Sequence, residues 1–246
     1  MPTLHLQVCA GFANRIRALV SGICAAEHLG LPLVIHWPSS GPECAAKAHR
    51  LLDAESLPKT VKVVGQELYN PREVLNREEW DTILAGWDKT RDLNLKSYGI
   101  FYSNETYEDH LRRLKPSSFV KELLSRRTAS LDWSTAVGVH IRRTDNWRSI
   151  LGSPLESFVE RLKAEEASLF VVATDDSEVR TLLVSMFGPK VLFPATVLSR
   201  MTEEGMIHAV TDFFAVSNCS KLLGSIGSSF SEMAALHGSI PLELVT

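Results

Sequence analysis

Two adjacent arginines, Arg142 and Arg143, end the stretch Val137-Gly138-Val139-His140-Ile141, whose alternation reads as a β-strand. A guanidinium is a planar fork of donors, charged at any working pH and shaped for bidentate binding of phosphate. In an open α/β sheet, the loop leaving a strand's carboxyl end lines the ligand crevice. The arrangement therefore points to an anionic ligand, a diphosphate, with a solvated pair of basic loop residues as the plain alternative. Thr144 and Asp145 follow directly, so a carboxylate stands within reach of both cations.

Three other polar turns sit at strand ends or helix mouths. Gly11-Phe12-Ala13-Asn14-Arg15 follows the opening strand, Thr174-Asp175-Asp176 follows a strand over 168–173, and Gly224-Ser225-Ile226-Gly227-Ser228-Ser229 follows one over 221–225. Such ends converge on one cleft in a doubly wound fold. The glycine-serine turn suits an oxyanion cradle, because glycine lets backbone approach closely and helix-start amides carry partial positive charge. It also reads as a helix cap by Ser228 or Ser229, with Glu232 completing a capping box. It is neither a P-loop nor a nucleophile elbow, and a Ser229/His237/Asp triad has no support in the spacing. Asp175 and Asp176 fit a helix cap or a hydroxylated ligand better than a metal. His140 is balanced between a satisfied core histidine and a ligand contact. Asp212, a carboxylate on a largely apolar helix, calls for a specific partner such as a base or ribose.

Positioning these turns takes alternating strands and helices. Strands are expected over 3–8, 33–37, 61–64, 136–141, 168–173, 191–193, 221–225 and 241–245. Helices are expected over 12–29, 44–52, 117–124, 177–186 and 228–237, with others starting at Ser153-Pro154-Leu155-Glu156, read as a capping box, and at Thr202. The stretch 66–114 shows no sustained periodicity. Its aromatics, Trp80, Trp87, Tyr98, Phe101, Tyr102 and Tyr107, are either an acceptor-binding wall or satellite core, the latter favoured. The alternation implies parallel βαβ units and two Rossmann-type domains, 1–132 and 133–246, divided in the polar stretch 126–133.

Composition narrows the partners. A net charge of −3 excludes a general nucleic-acid binder, so any phosphate site is local. No apolar run reaches the roughly 20 residues that span a bilayer. The four cysteines, Cys9, Cys24, Cys44 and Cys219, lack metal-type spacing. With no signal-peptide pattern at the start, a soluble cytoplasmic protein is expected.

The motifs together resemble a family. Gly11-Phe12-Ala13-Asn14-Arg15 resembles the opening motif of nucleotide-sugar fucosyltransferases, and His140-Ile141-Arg142-Arg143-Thr144-Asp145 is similar to the His-x-Arg-Arg-Thr-Asp peptide of the α1,6-fucosyltransferases. Ala173-Thr174-Asp175-Asp176 and Ser225 to Ser231 resemble two later motifs of that superfamily, in the same order. The resemblance implies a GT-B fold, two Rossmann-like domains with parallel sheets facing across a cleft, and GDP-fucose held mainly by the C-terminal one. It also implies that Arg142 holds the diphosphate, that His140 and Asp212 face the guanosine, and that Ser228 helps hold phosphate. Where the α1,6-type enzymes carry a Lys and a Glu as a proposed catalytic pair, this chain has Asn146 and Ile150.

The expected activity is inverting, metal-independent transfer of fucose or a related sugar from a GDP-sugar to a glycan or other hydroxyl acceptor. Arg142, Arg143 and Asp145 would serve catalysis. Gly11, Asn14, Arg15, His140, Thr174, Asp175, Asp176, Asp212, Gly227, Ser228 and Ser229 would bind substrate, with no metal and no cofactor beyond the GDP-fucose donor. Two rivals are a GDP-sugar-binding protein without catalysis and a dinucleotide-binding oxidoreductase. The second is weakened because no Gly-x-Gly-x-x-Gly follows the first strand of either half.

Overall fold

The computed structural model describes residues 1–129 and 131–246. The chain divides into two compact units, Met1–Ser117 with Arg200–Glu203, and Ser118–Ser199 with Glu204–Thr246. Each is built on a five-stranded parallel sheet.

In the first unit, β1 (Leu4–Val8) leads into α1 (Phe12–Leu29), which stops where Gly30 turns left-handed at φ 64°. Glycine enters that region without steric cost, which ends the helix cleanly. Next come β2 (Leu33–His36), the single turn α2 (Ala48–Leu51), β3 (Val61–Val64), β4 (Arg72–Glu73), α3 (Arg77–Ala85), β5 (Leu93–Ser97) and α4 (Tyr107–Arg113). The strands lie in the order β3-β2-β1-β5-β4. The helix expected over 44–52 shrinks to one turn because its backbone is committed elsewhere. The Ala45 amide donates to Arg200 and the indole of Trp37 donates to the Ala46 carbonyl. The stretch without clear periodicity holds β4 and β5. Trp80, Phe101, Tyr102 and Tyr107 are buried, with Trp80 packed 5.3 Å from Phe101 and 5.8 Å from Tyr102, so these aromatics are satellite core.

The second unit comprises α5 (Ser118–Thr128), β6 (Ala136–Ile141), α6 (Trp147–Gly152), α7 (Leu155–Lys163), β7 (Leu169–Thr174), α8 (Ser177–Phe187), β8 (Val191–Leu192), α9 (Glu203–Ser217), β9 (Lys221–Ser225), α10 (Ser229–Gly238) and β10 (Leu242–Val245). Its sheet order, β10-β9-β6-β7-β8, reverses direction between β6 and β9, as in the dinucleotide-binding doubly wound fold. β6 is buried along its whole length. Val137, Val139 and Ile141 enter the core with Phe158, Phe170, Val172 and Leu183. Burying each such aliphatic side chain contributes about 1.5–3 kcal/mol. Gly138 and His140 point to the opposite face, where His140 meets α10.

Ser153 does not form the expected capping box on α7. Its hydroxyl instead accepts the amide of Ile226, 2.9 Å away in the glycine-serine turn.

Candidate functional site

The carboxyl ends of β6, β7 and β9 form one hydrogen-bonded cluster. The Arg142 amide donates to Ser225 Oγ at 3.1 Å, and that hydroxyl donates to the His140 carbonyl at 3.2 Å, lacing the two strands at the switch point. Asp175 bridges from β7. It accepts the Arg143 amide at 2.8 Å and the Thr144 hydroxyl at 2.7 Å, and pairs with Arg142 Nη1 at 2.6 Å. Arg142 Nη2 is bonded to Asp145 on the rim. Arg143 Nη1 donates to the Ile150 carbonyl at 3.1 Å, so this arginine also fastens α6. Asp176 turns away and caps α8 through the amides of Glu178 and Val179, while Thr174 Oγ1 accepts the Asp176 amide.

The glycine-serine turn is held from outside. Asn146 Nδ2 donates to the Gly227 carbonyl at 3.0 Å and the Ser149 hydroxyl to the Ile226 carbonyl at 2.7 Å. Gly227 takes φ 65°, a conformation that costs other residues about 1–2 kcal/mol. Neither expected serine cap forms. Ser228 occupies the N-cap position of α10 without a side-chain cap bond, and Ser229 opens the helix. The amides at this helix start therefore keep their donor capacity toward an anion.

Two buried ionisable groups flank the cluster. His140 is 5% exposed, its Nδ1 lies 2.8 Å from Ser231 Oγ, and its ring stacks on Phe230 at 4.3 Å. Burial, with the charge of Arg142, pushes its pKa down to about 3. It is therefore a neutral imidazole, suited to a neutral ring more than to phosphate. Asp212 is 4% exposed, and burial raises its carboxyl to about 7 despite a bond from the Ala195 amide at 2.8 Å and the nearby Arg180. Arg180 donates to the Ala195 carbonyl at 2.7 Å, so the two side chains hold the backbone of one residue from both sides. The Nε and Nη2 of Arg180 are buried without hydrogen-bond partners.

Gly11, Asn14 and Arg15 belong to the first unit. Gly11 is the N-cap of α1, and the Asn14 side chain makes no hydrogen bond among the described residues. Arg15 is turned inward. It is 3% exposed, donates to the Ala10 and Pro38 carbonyls, and lies over the Trp37 ring at 5.1 Å. Its donors fix the turn after β1, where Ala10 holds a left-handed φ of 63°.

Sequence reasoning missed Asn146, Ser149, Ser153 and Ser225 as positioning residues, and Arg180 as the partner of Asp212. Ser225 lay inside a quoted motif. The others act on residues tens of positions away in sequence, and the one local pattern among them, the capping-box spacing at Ser153, points to a different role.

No protein-family model and no curated protein sequence matches the chain. Solved structures do. A NodZ α-1,6-fucosyltransferase soaked with GDP-fucose superposes with a TM-score of 0.71 at 17% identity, over 96% of this chain and 92% of that one. Fucosyltransferase NodZ from Bradyrhizobium gives 0.68 at 16%, over 95% and 93%. POFUT1 in complex with GDP-fucose gives 0.60 at 13%, over 99% and 97%. The likeness is one of fold, the two-sheet α/β architecture of GT-B fucosyltransferases.

Proposed function

We propose that the protein is a glycosyltransferase that moves fucose, or a closely related sugar, from a GDP-sugar to a hydroxyl acceptor. One observation carries the reading: the paired arginines and the uncapped α10 turn are laced together at the β6–β9 switch point. Cations and oriented amides aimed at one place suit a diphosphate leaving group. As the glycosidic bond breaks, negative charge grows on that group and Arg142 stabilises it more than it stabilises the ground state. Direct attack by the acceptor oxygen inverts the anomeric carbon. With charge handled by arginines and amides, no divalent metal is required. Asp175 is committed to Arg142, the Arg143 amide and Thr144, and Asp176 to the start of α8.

His140 and Asp212 are the groups for the guanine, a neutral imidazole and a carboxylate that can accept from ring N–H donors. Fold-level likeness to proteins crystallised with GDP-fucose and GDP supports the same donor.

The test is a panel of GDP-fucose, GDP-mannose, UDP-glucose and NAD, with mass-spectrometric detection of nucleotide release and of glycosylated hydroxyl acceptors. Release of GDP from GDP-fucose, with transfer, is expected. Tight GDP binding without release would make the chain a GDP-sugar-binding protein. Asn146 favours that second reading, because it stands where α1,6-type enzymes carry Lys and here is spent on Gly227. Preference for NAD would overturn both.

A further inference from the structure

We propose that α6 is the acceptor subsite of this reaction, with the indole of Trp147 stacking against a pyranose ring of a glycan. The inference rests on the proposed sugar transfer and adds the class of acceptor. α6 is built the wrong way round for a surface helix. Its single buried residue is Ser149, while Trp147 is 65% exposed and Leu151, one turn on, is 72% exposed. Apolar packing therefore does not hold this helix in place. Polar bonds do: Asn146 to the Gly227 carbonyl, Ser149 to the Ile226 carbonyl, and Arg143 to the Ile150 carbonyl. Each of these ties α6 to the turn or the arginine pair that make up the anion site. Asn146 also caps the helix by accepting the Ser149 amide at 3.3 Å.

The result is a fixed apolar ledge contiguous with the place where the sugar's leaving group would sit. Two side chains are too small an area for a stable protein interface, which buries about 800 Å² per partner. They fit one ring. A pyranose presents an apolar C–H face and a hydroxyl edge, and the ledge offers an exposed indole with a cationic side chain, Arg148, in contact with it. The Arg148 guanidinium lies over the indole, 5.6 Å from its centroid, so a stacking ring displaces this flexible exposed side chain or takes the opposite face. The backbone that carries the indole is fixed by the polar bonds of α6, which lowers the ordering cost of binding. The chemistry also requires an acceptor hydroxyl next to the diphosphate, which a ring lying on Trp147 would supply.

The experiment uses the full chain saturated with GDP and titrates it with maltotriose, cellotriose and chitotriose, read by tryptophan fluorescence. Of the five tryptophans, Trp37 and Trp80 are fully buried and make a steady background. At least one trisaccharide should shift the emission, the shift should vanish in Trp147→Ala, and Trp147→Phe should keep part of it. In the transfer assay, Trp147→Ala should raise the acceptor KM about tenfold, with a smaller change in kcat. The proposal is overturned if no trisaccharide perturbs the fluorescence, if Trp147→Ala binds as the parent does, or if Trp147 answers to GDP alone. Failure of the donor reading looks different. GDP would then bind neither the parent nor Trp147→Ala by calorimetry, whatever the trisaccharides do.

Discussion

Arg142 and Arg148 lie six positions apart and differ in surroundings. Arg142 is partly buried between two carboxylates, whereas Arg148 is exposed beside an exposed ring. Removing a charge-assisted contact from a desolvated site costs about 2–5 kcal/mol, against about 0–1 for an exposed charge. Arg142→Ala is therefore expected to weaken GDP binding at least thirtyfold by calorimetry and Arg148→Ala only slightly; equal losses would remove Arg142 from the phosphate site. Asp212 gives a pH signature. Its carboxyl is raised to about 7 by burial, so the folded state holds a proton that the unfolded chain has released. Stability should accordingly fall as pH rises from about 4 to 7 and level off above it. If the carboxylate is what receives guanine N–H donors, GDP affinity should run the other way, losing about tenfold per unit below pH 7. Asp212→Asn should abolish both slopes, which thermal melts and calorimetry across pH 5–8 would read.

At the scale of elements, the glycine-serine turn depends on residues that need not touch a ligand. Ser153→Ala leaves the Ile226 amide without its partner, and Asn146→Ala removes a bond to Gly227 and the cap of α6. Each should lower GDP affinity by about 1 kcal/mol, while Ser149→Ala, which releases the Ile226 carbonyl, should do the same. Unchanged affinity in all three would mean the turn is shaped by its own backbone. These elements also separate what the sequence displayed from what it concealed. α1 was legible to its bounds, because helical spacing runs from Phe12 and ends at Gly30 with Pro32 behind it. β6 and its arginines were legible for the same reason, a local period closed by a change of chemistry. Ser153-x-x-Glu156 misled because its local pattern is that of a cap, while the competing Ile226 amide is 73 residues away. β5 was overlooked although Leu93, Leu95 and Ser97 are buried in alternation, since its five residues stand alone in a polar stretch.

For the molecule as a whole, the two sheets share an architecture and differ in wiring. Both orders reverse beside their first strand, but in the second the next strand, β9, takes the inner place and β10 the edge, as in the Rossmann order, whereas in the first the later β5 lies inside and β4 at the edge. The sequence suggested two similar halves, since strand order is set by long-range pairing that local patterns do not encode. The asymmetry matches the proposed division of labour, with the anion cluster confined to the second unit. Because its charge is supplied by side chains and amides, transferase activity is expected to persist in millimolar EDTA. Complete loss, restored by manganese, would show that carboxylates such as Asp175 recruit metal during turnover.

The bond between Asp145 and Arg142 bears on how long the product stays. A phosphate that takes the outer side of the Arg142 fork must push Asp145 aside, while Asp175 remains anchored by the Arg143 amide and Thr144. Once the sugar has left, the displaced carboxylate is tethered three residues away and competes for the same guanidinium. If the proposed transfer occurs, Asp145 would serve as an internal counter-anion that hastens GDP ejection, trading affinity for turnover. Asp145→Asn should then bind GDP more tightly and leave it more slowly in stopped-flow chase, with a normal first turnover followed by a reduced steady rate. A first turnover as slow as the later ones would identify Asp145 instead as the group that takes the acceptor proton.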